Sequence, residues 1–128
     1  MKKITLLAMA FIAIMTASAQ KANWKEMHDF HSVMSVTFHP AEDNNLQPTK
    51  DSAAILLAKA QTWQQSVVPS GYNATVTKPI LKRLVAECAA IDAAVKLKKP
   101  DSDLKVMITK AHDTFHEIME KCRKQDSD

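Results

Sequence analysis

The stretch DSDLKVMITKAHDTFHEIMEKC, residues 101–122, decides the fold class. Leu104, Ile108, Ala111, Phe115, Ile118 and Cys122 recur at alternating steps of four and three residues, which lines them along one face of a helix. Asp101 or Ser102 stands at the N-cap position just after Lys99-Pro100, so a last helix is predicted from there to about Lys124.

Working back along the chain, the same reading predicts three more helices. Pro79 suits a first turn, and Ile80, Leu84, Cys88, Ile91 and Val95 follow it at heptad-like spacing until Lys99-Pro100 closes the third helix. The second is predicted from about Thr49 to Val68, with Leu56, Ala60, Trp63 and Val67 on one side and Pro69-Ser70-Gly71 as its stop. The first starts after Asn23, an N-cap type with Glu26 three residues on, and stops at Pro40. Its apolar stripe reads Trp24, Met27, His31, Met34 and Phe38, and the polar segment from Pro40 to Pro48 reads as a loop. A single glycine in 128 residues fits helices joined by short connections. The expected fold is all-α, an antiparallel up-down four-helix bundle forming one domain over residues 20–128.

Ahead of that domain, Lys2 and Lys3 precede an uncharged apolar run from Ile4 to Met15, then Ala17-Ser18-Ala19 before Gln20. This is the order of a secretory signal peptide over residues 1–19, with an apolar run too short for the ~20 residues of a membrane span. No cysteine sits at the cleavage site to carry a lipid. The expected location is periplasmic or secreted, with no membrane association after cleavage. Without Lys2 and Lys3, the seventeen basic residues become fifteen against fourteen acidic ones, and the net charge falls from +3 to +1. Neither that balance nor any arginine-rich, aromatic-interleaved patch asks for nucleic acid.

The chemistry is concentrated in the histidines. All five lie in the first or last helix: His28 and His31 are three apart, His112 and His116 four apart, and each pair shares a helical face. In an up-down bundle the first and last helices run antiparallel, so the four imidazoles fall in one slab. A single helical histidine is commonly half-buried and hydrogen-bonded without a ligand. Four at one depth each bring a donor and an acceptor that need partners, and a cation would satisfy the free nitrogens together. The expected metal ligands are therefore His28, His31, His112 and His116, for copper, zinc or nickel. Met27, Met34 and Met119 are nearby thioethers that serve equally as core filler, and Cys122 is a further soft ligand at the level of Met27. Asp29, Asp113 and Glu117 neighbour the histidines and read equally as acceptors that orient imidazoles or as ordinary charges of a solvated face. His39 lies too far along to join, and is expected to hydrogen-bond Glu42. Cys88 and Cys122 differ in axial level by about 16 Å at the helical rise, so no disulfide is predicted between them.

The helix-4 segment H-D-T-F-H has aspartate where a zinc-protease helix carries its catalytic glutamate, and no nucleophile elbow or phosphate loop occurs. A non-enzymatic role is expected.

The arrangement resembles two groups of small periplasmic bundles. One is the b-type and c-prime cytochrome superfamily, a resemblance that implies haem between the first and last helices with Met27 (or Met34) and His116 as axial ligands. The C-x-x-C-H attachment motif is absent, so the haem would be non-covalent haem b, and the extra histidines are not part of that pattern. The other is the set of His-rich periplasmic helical proteins of metal resistance and sensing, which implies metal buffering, transfer or sensing. A helical interaction or stress module with incidental histidines is the third reading, and a homodimer is compatible with each.

Overall fold

The structure is a computed structural model describing residues 23–123; the leader and its cleavage site lie outside them. Four helices follow one another: α1 (Lys25–Glu42), α2 (Gln47–Gln65), α3 (Ala74–Lys96) and α4 (Asp101–Lys121). Successive helices pack closely, and α1 and α4 also touch, more sparsely, which closes an antiparallel four-helix bundle. No helix among the described residues is long and apolar enough to cross a membrane.

Both ends of the bundle show the up-down path. At one, the α2–α3 connection folds under the helix ends. The Asn73 N–H donates to the Cys122 carbonyl at 2.8 Å, and Tyr72 pairs with Arg123 in a short antiparallel bridge. Tyr72 is buried there, its ring 5.1 Å from Trp24 and its hydroxyl donating to Met27 Sδ at 3.5 Å. At the other end Lys50 pairs with Asp101 at 2.7 Å, and the Lys105 ammonium reaches Asn44 Oδ1 at 2.8 Å.

The helix boundaries differ from the sequence expectation, for local reasons. Pro40 does not stop α1, which runs on to Glu42. The carbonyl that proline leaves without a donor belongs to Val36, on the solvent side with a 60 % exposed side chain, while carrying the helix on buries Ala41. The loop is consequently short, and it turns at Asn44, whose φ of 61° is left-handed, a conformation asparagine tolerates. Likewise α3 starts at Ala74 rather than near Pro79. Asn73 caps it, its side chain accepting from the N–H groups of Thr75 and Val76, and Pro79 sits within the helix. In α2 the start is two residues earlier than expected, with Pro48 in the first turn, and the end three residues earlier, because the Ser66 hydroxyl donates back to the Trp63 carbonyl at 2.6 Å and accepts from Trp24 Nε1 at 2.8 Å. Val67 therefore falls beyond the helix and is 88 % exposed, not part of the α2 stripe.

The core runs the length of the bundle. All six positions expected to face inward on α4 are buried. On α3 the core is Leu81, Leu84, Cys88, Ile91 and Ala94, with Ile80 and Val95 only partly buried against it. On α1 the decisive difference is at residues 30 and 31: Phe30 is fully buried and His31 is exposed. Burying a phenylalanine gains roughly 1.5–3 kcal/mol, whereas burying an unpartnered imidazole costs free energy, so the helix rotates Phe30 inward. Trp24, Phe30, Trp63, Tyr72 and Phe115 form an aromatic cluster in the half of the core nearer the Tyr72 end. The buried Trp63 Nε1 has no hydrogen-bond partner, and Trp24 and Phe115 pack against that ring at T-shaped angles.

Candidate functional site

The site grows out of the inward stripe of α4. His112 and His116 each follow a core residue by one position, which rotates them about 100° from the core and onto the seam with α1. There His112 lies flat on Phe38, with ring centroids 3.7 Å apart and planes within 10°. His116 meets Phe115 edge-to-face at 5.7 Å and His112 at 4.4 Å. The outcome is a contact between the two imidazoles, Nε2 to Nε2 at 3.1 Å. In the neutral pair one Nε2 carries hydrogen and donates while the other accepts, so the rings take opposite tautomers. Burial, with His116 beside it, holds His112 below the usual histidine range, against the smaller upward pull of Asp113 and Glu42. Its Nδ1 faces Asp113 Oδ1 at 3.8 Å.

Across the seam, His31 stacks on the other face of this small platform, parallel to Phe115 within 7° at 5.1 Å. Burial first, then the neighbouring His116, His28 and His39, lower its pKa as well. Phe38 and Phe115 thus touch three imidazoles, His112 and His31 by stacking and His116 edge-to-face. In the sequence those phenylalanines read only as core; Phe115 stands next to His116 and one turn from His112, but its contact with His31 and that of Phe38 with His112 cross between helices and leave no signal in the spacing.

The remaining expected ligands are distributed differently. His28 is exposed, a turn nearer the start of α1 than His31. His39 Nδ1 donates to Glu42 Oε2 at 3.3 Å, as its spacing suggested. The four imidazoles share the seam but not a buried layer, because His28, His31 and His116 are exposed and only His112 is partly covered. Among the described residues, no group of three or more His, Cys, Asp or Glu side chains is gathered closely enough to hold a metal ion. Met34 is fully buried in the core, and Met119 is partly buried beside it. Cys122 is buried next to the Thr77 hydroxyl of α3, away from the imidazoles, and burial pushes its thiol up. Cys88, also free, is pushed up to about 12 by burial. Of the three carboxylates, Asp29 pairs with Lys25 at 2.6 Å and Glu117 with Arg83, which leaves Asp113 as the acceptor beside an imidazole.

These positions do not fit a haem. Met27 is buried with its sulfur taken by the Tyr72 hydroxyl, and His116 stands on the outer seam against His112. Phe30, Trp63 and Phe115 fill the core space such a ring would occupy. A bare cation is a different matter. Two imidazole nitrogens at about 2.0–2.1 Å from a shared ion stand roughly 2.9 Å apart at right angles and roughly 3.4 Å apart at tetrahedral angles. The observed 3.1 Å falls between them.

Fold and site together define a class: a four-helix bundle with an imidazole pair on the seam between its first and last helices. Comparison with known proteins finds no matching family model, no matching curated protein and no matching solved structure.

Proposed function

We propose that the protein is a non-enzymatic binder of a divalent transition metal, copper, zinc or nickel, which it takes up at His112 and His116 for buffering, transfer or sensing. The leader expected over residues 1–19 would put that activity in the periplasm or outside the cell. One observation carries the reading: two imidazole nitrogens converge to 3.1 Å at the protein surface. Their platform supports it, since stacking of His112 on Phe38 and the edge-to-face contact of His116 with Phe115 hold the rings before any ion arrives and lower the ordering cost of binding. The depressed pKa of His112 supports it too, because only the unprotonated nitrogen ligates. His31 and His28 line the approach along the same seam.

Isothermal titration of the untagged protein with Cu(II), Zn(II) and Ni(II) tests this. Binding is expected to vanish in His112→Ala and in His116→Ala, to weaken in His31→Ala, and to persist in His39→Ala. Undiminished binding in His116→Ala would overturn the assignment, and a Soret band in protein purified after haem addition would favour a cytochrome instead.

A further inference from the structure

The imidazole pair supplies two ligands, whereas zinc and copper ordinarily take four. Among the described residues no third His, Cys, Asp or Glu side chain is gathered with it closely enough to hold an ion. The chain holds five histidines, all on α1 or α4, and His28 is exposed a turn away from His31. His31 lies flat on Phe115, His39 is engaged with Glu42, and both cysteines are buried elsewhere. An ion on the pair therefore faces outward with open positions.

The surface around it suits a second copy. By helical spacing His28, Ser32, Ser35 and His39 form one strip of α1, and Thr109, His112 and His116 the adjoining strip of α4. These side chains are short and carry no fixed charge. The nearest lysine in the strip, Lys105, is turned to the loop end, with its ammonium on Asn44 and the Glu42 carbonyl. The exposed carboxylates at the border of this face, Asp113 and Glu42, are negative in both copies, and a positive ion held between the copies offsets their repulsion. A two-fold axis through the ion would set each pair opposite its own copy, since an isologous contact brings the same patch together from both sides.

We infer that one transition-metal ion joins two copies of this chain, each supplying the Nε2 atoms of His112 and His116, so that four imidazoles complete the coordination. The inference rests on the metal-binding reading above and adds the partner to it. No heavy-atom bond in the protein changes; each imidazole binds through its unprotonated Nε2, and the ring that carried hydrogen on Nε2 carries it on Nδ1 instead.

Titration of the untagged protein with Zn(II), and in parallel with Cu(II) and Ni(II), followed by calorimetry and sedimentation velocity, tests it. The expected result is saturation at one ion for two chains together with a doubled mass that EDTA reverses. His116→Ala should show neither effect. Ser32→Arg keeps the pair and sets guanidinium groups into the contact face; it should bind one ion per chain and stay monomeric, with an unchanged helical circular dichroism spectrum. Saturation at one ion per chain with monomeric mass in the unmodified protein would overturn the shared site and leave the metal-binding reading standing. Binding of none of the three ions would overturn both.

Discussion

The two seams that flank α4 are built from neighbouring residues and end in opposite chemical states. Toward α3, the Thr114 hydroxyl donates to both oxygens of the Glu87 carboxylate at 2.9 Å, Arg83 reaches Glu87 and pairs with Glu117, and the polar groups there satisfy one another. Toward α1, only two residues from Thr114, His112 and His116 find each other and aromatic faces. On the α3 side a largely covered carboxylate takes the Thr114 hydrogen and faces the Arg83 guanidinium, so its charge is compensated within the protein and that seam is structural. An exposed imidazole pair shares a single hydrogen, and once the donor ring carries it on Nδ1 instead, both Nε2 lone pairs open at the surface, which is where a cation can enter. The contrast shows that clustering of polar side chains does not identify a site; leftover ligating capacity does.

The largest effect expected is from Phe115→Ala, which breaks the comparison by removing the side chain that supports the core and the imidazoles alike. Phe115 is fully buried against Phe30 and Trp63 and also carries His31 and His116. A loss of about 3–5 kcal/mol in urea denaturation is expected, with loss of metal binding at temperatures where the variant stays folded. Smaller, and sharper as a test, is Thr114→Val on the α3 side. Taking the hydroxyl from a nearly buried Glu87 should cost about 1–3 kcal/mol while metal affinity stays unchanged; a parallel loss of affinity would show the two seams to be coupled.

The seams should also answer pH in opposite directions. Burial, outweighing the Thr114 hydroxyl, raises Glu87 above its ordinary 4.5. The native state then holds more protons than the unfolded chain between 4.5 and the raised value, so this group's contribution falls as pH rises through that window. Glu87→Gln should accordingly have a higher Tm than the parent at pH 7, a gain that closes below pH 4.5. His31 and His112 are shifted the other way, below 6.5, so the unfolded chain binds more protons and stability falls as pH drops from 6.5 toward their lowered values. In metal-free protein, His112→Phe should flatten that acid-side slope, followed by thermal denaturation at steps of pH. The smallest effect is assigned to His39→Ala. Its contact with Glu42 is exposed on both sides, and neither stability, within about 0.5 kcal/mol, nor metal binding should move.

By itself the sequence determined that this chain makes four helices and a bundle, because helical periodicity and breakers act over a few residues. All six inward positions of α4 were legible for that reason, and so was the pairing of His112 with His116, since a spacing of four on a helix forces two side chains onto one face whatever the surroundings. The choice between Phe30 and His31 was not legible. Adjacent positions differ by only about 100° of rotation, both reach the edge of the core, and packing against α2 and α4 selects the one that buries more apolar surface. For Pro40 and Pro79 the deciding factors were a solvent-facing carbonyl and an asparagine cap. Met27 and Cys122 left the set of open ligands because Tyr72 and Thr77, far away in sequence, arrive beside them. Periodicity fixes which face a residue occupies, but the group that meets that face comes from another helix, and only the assembled bundle decides whether it consumes a side chain's bonding capacity or leaves it free.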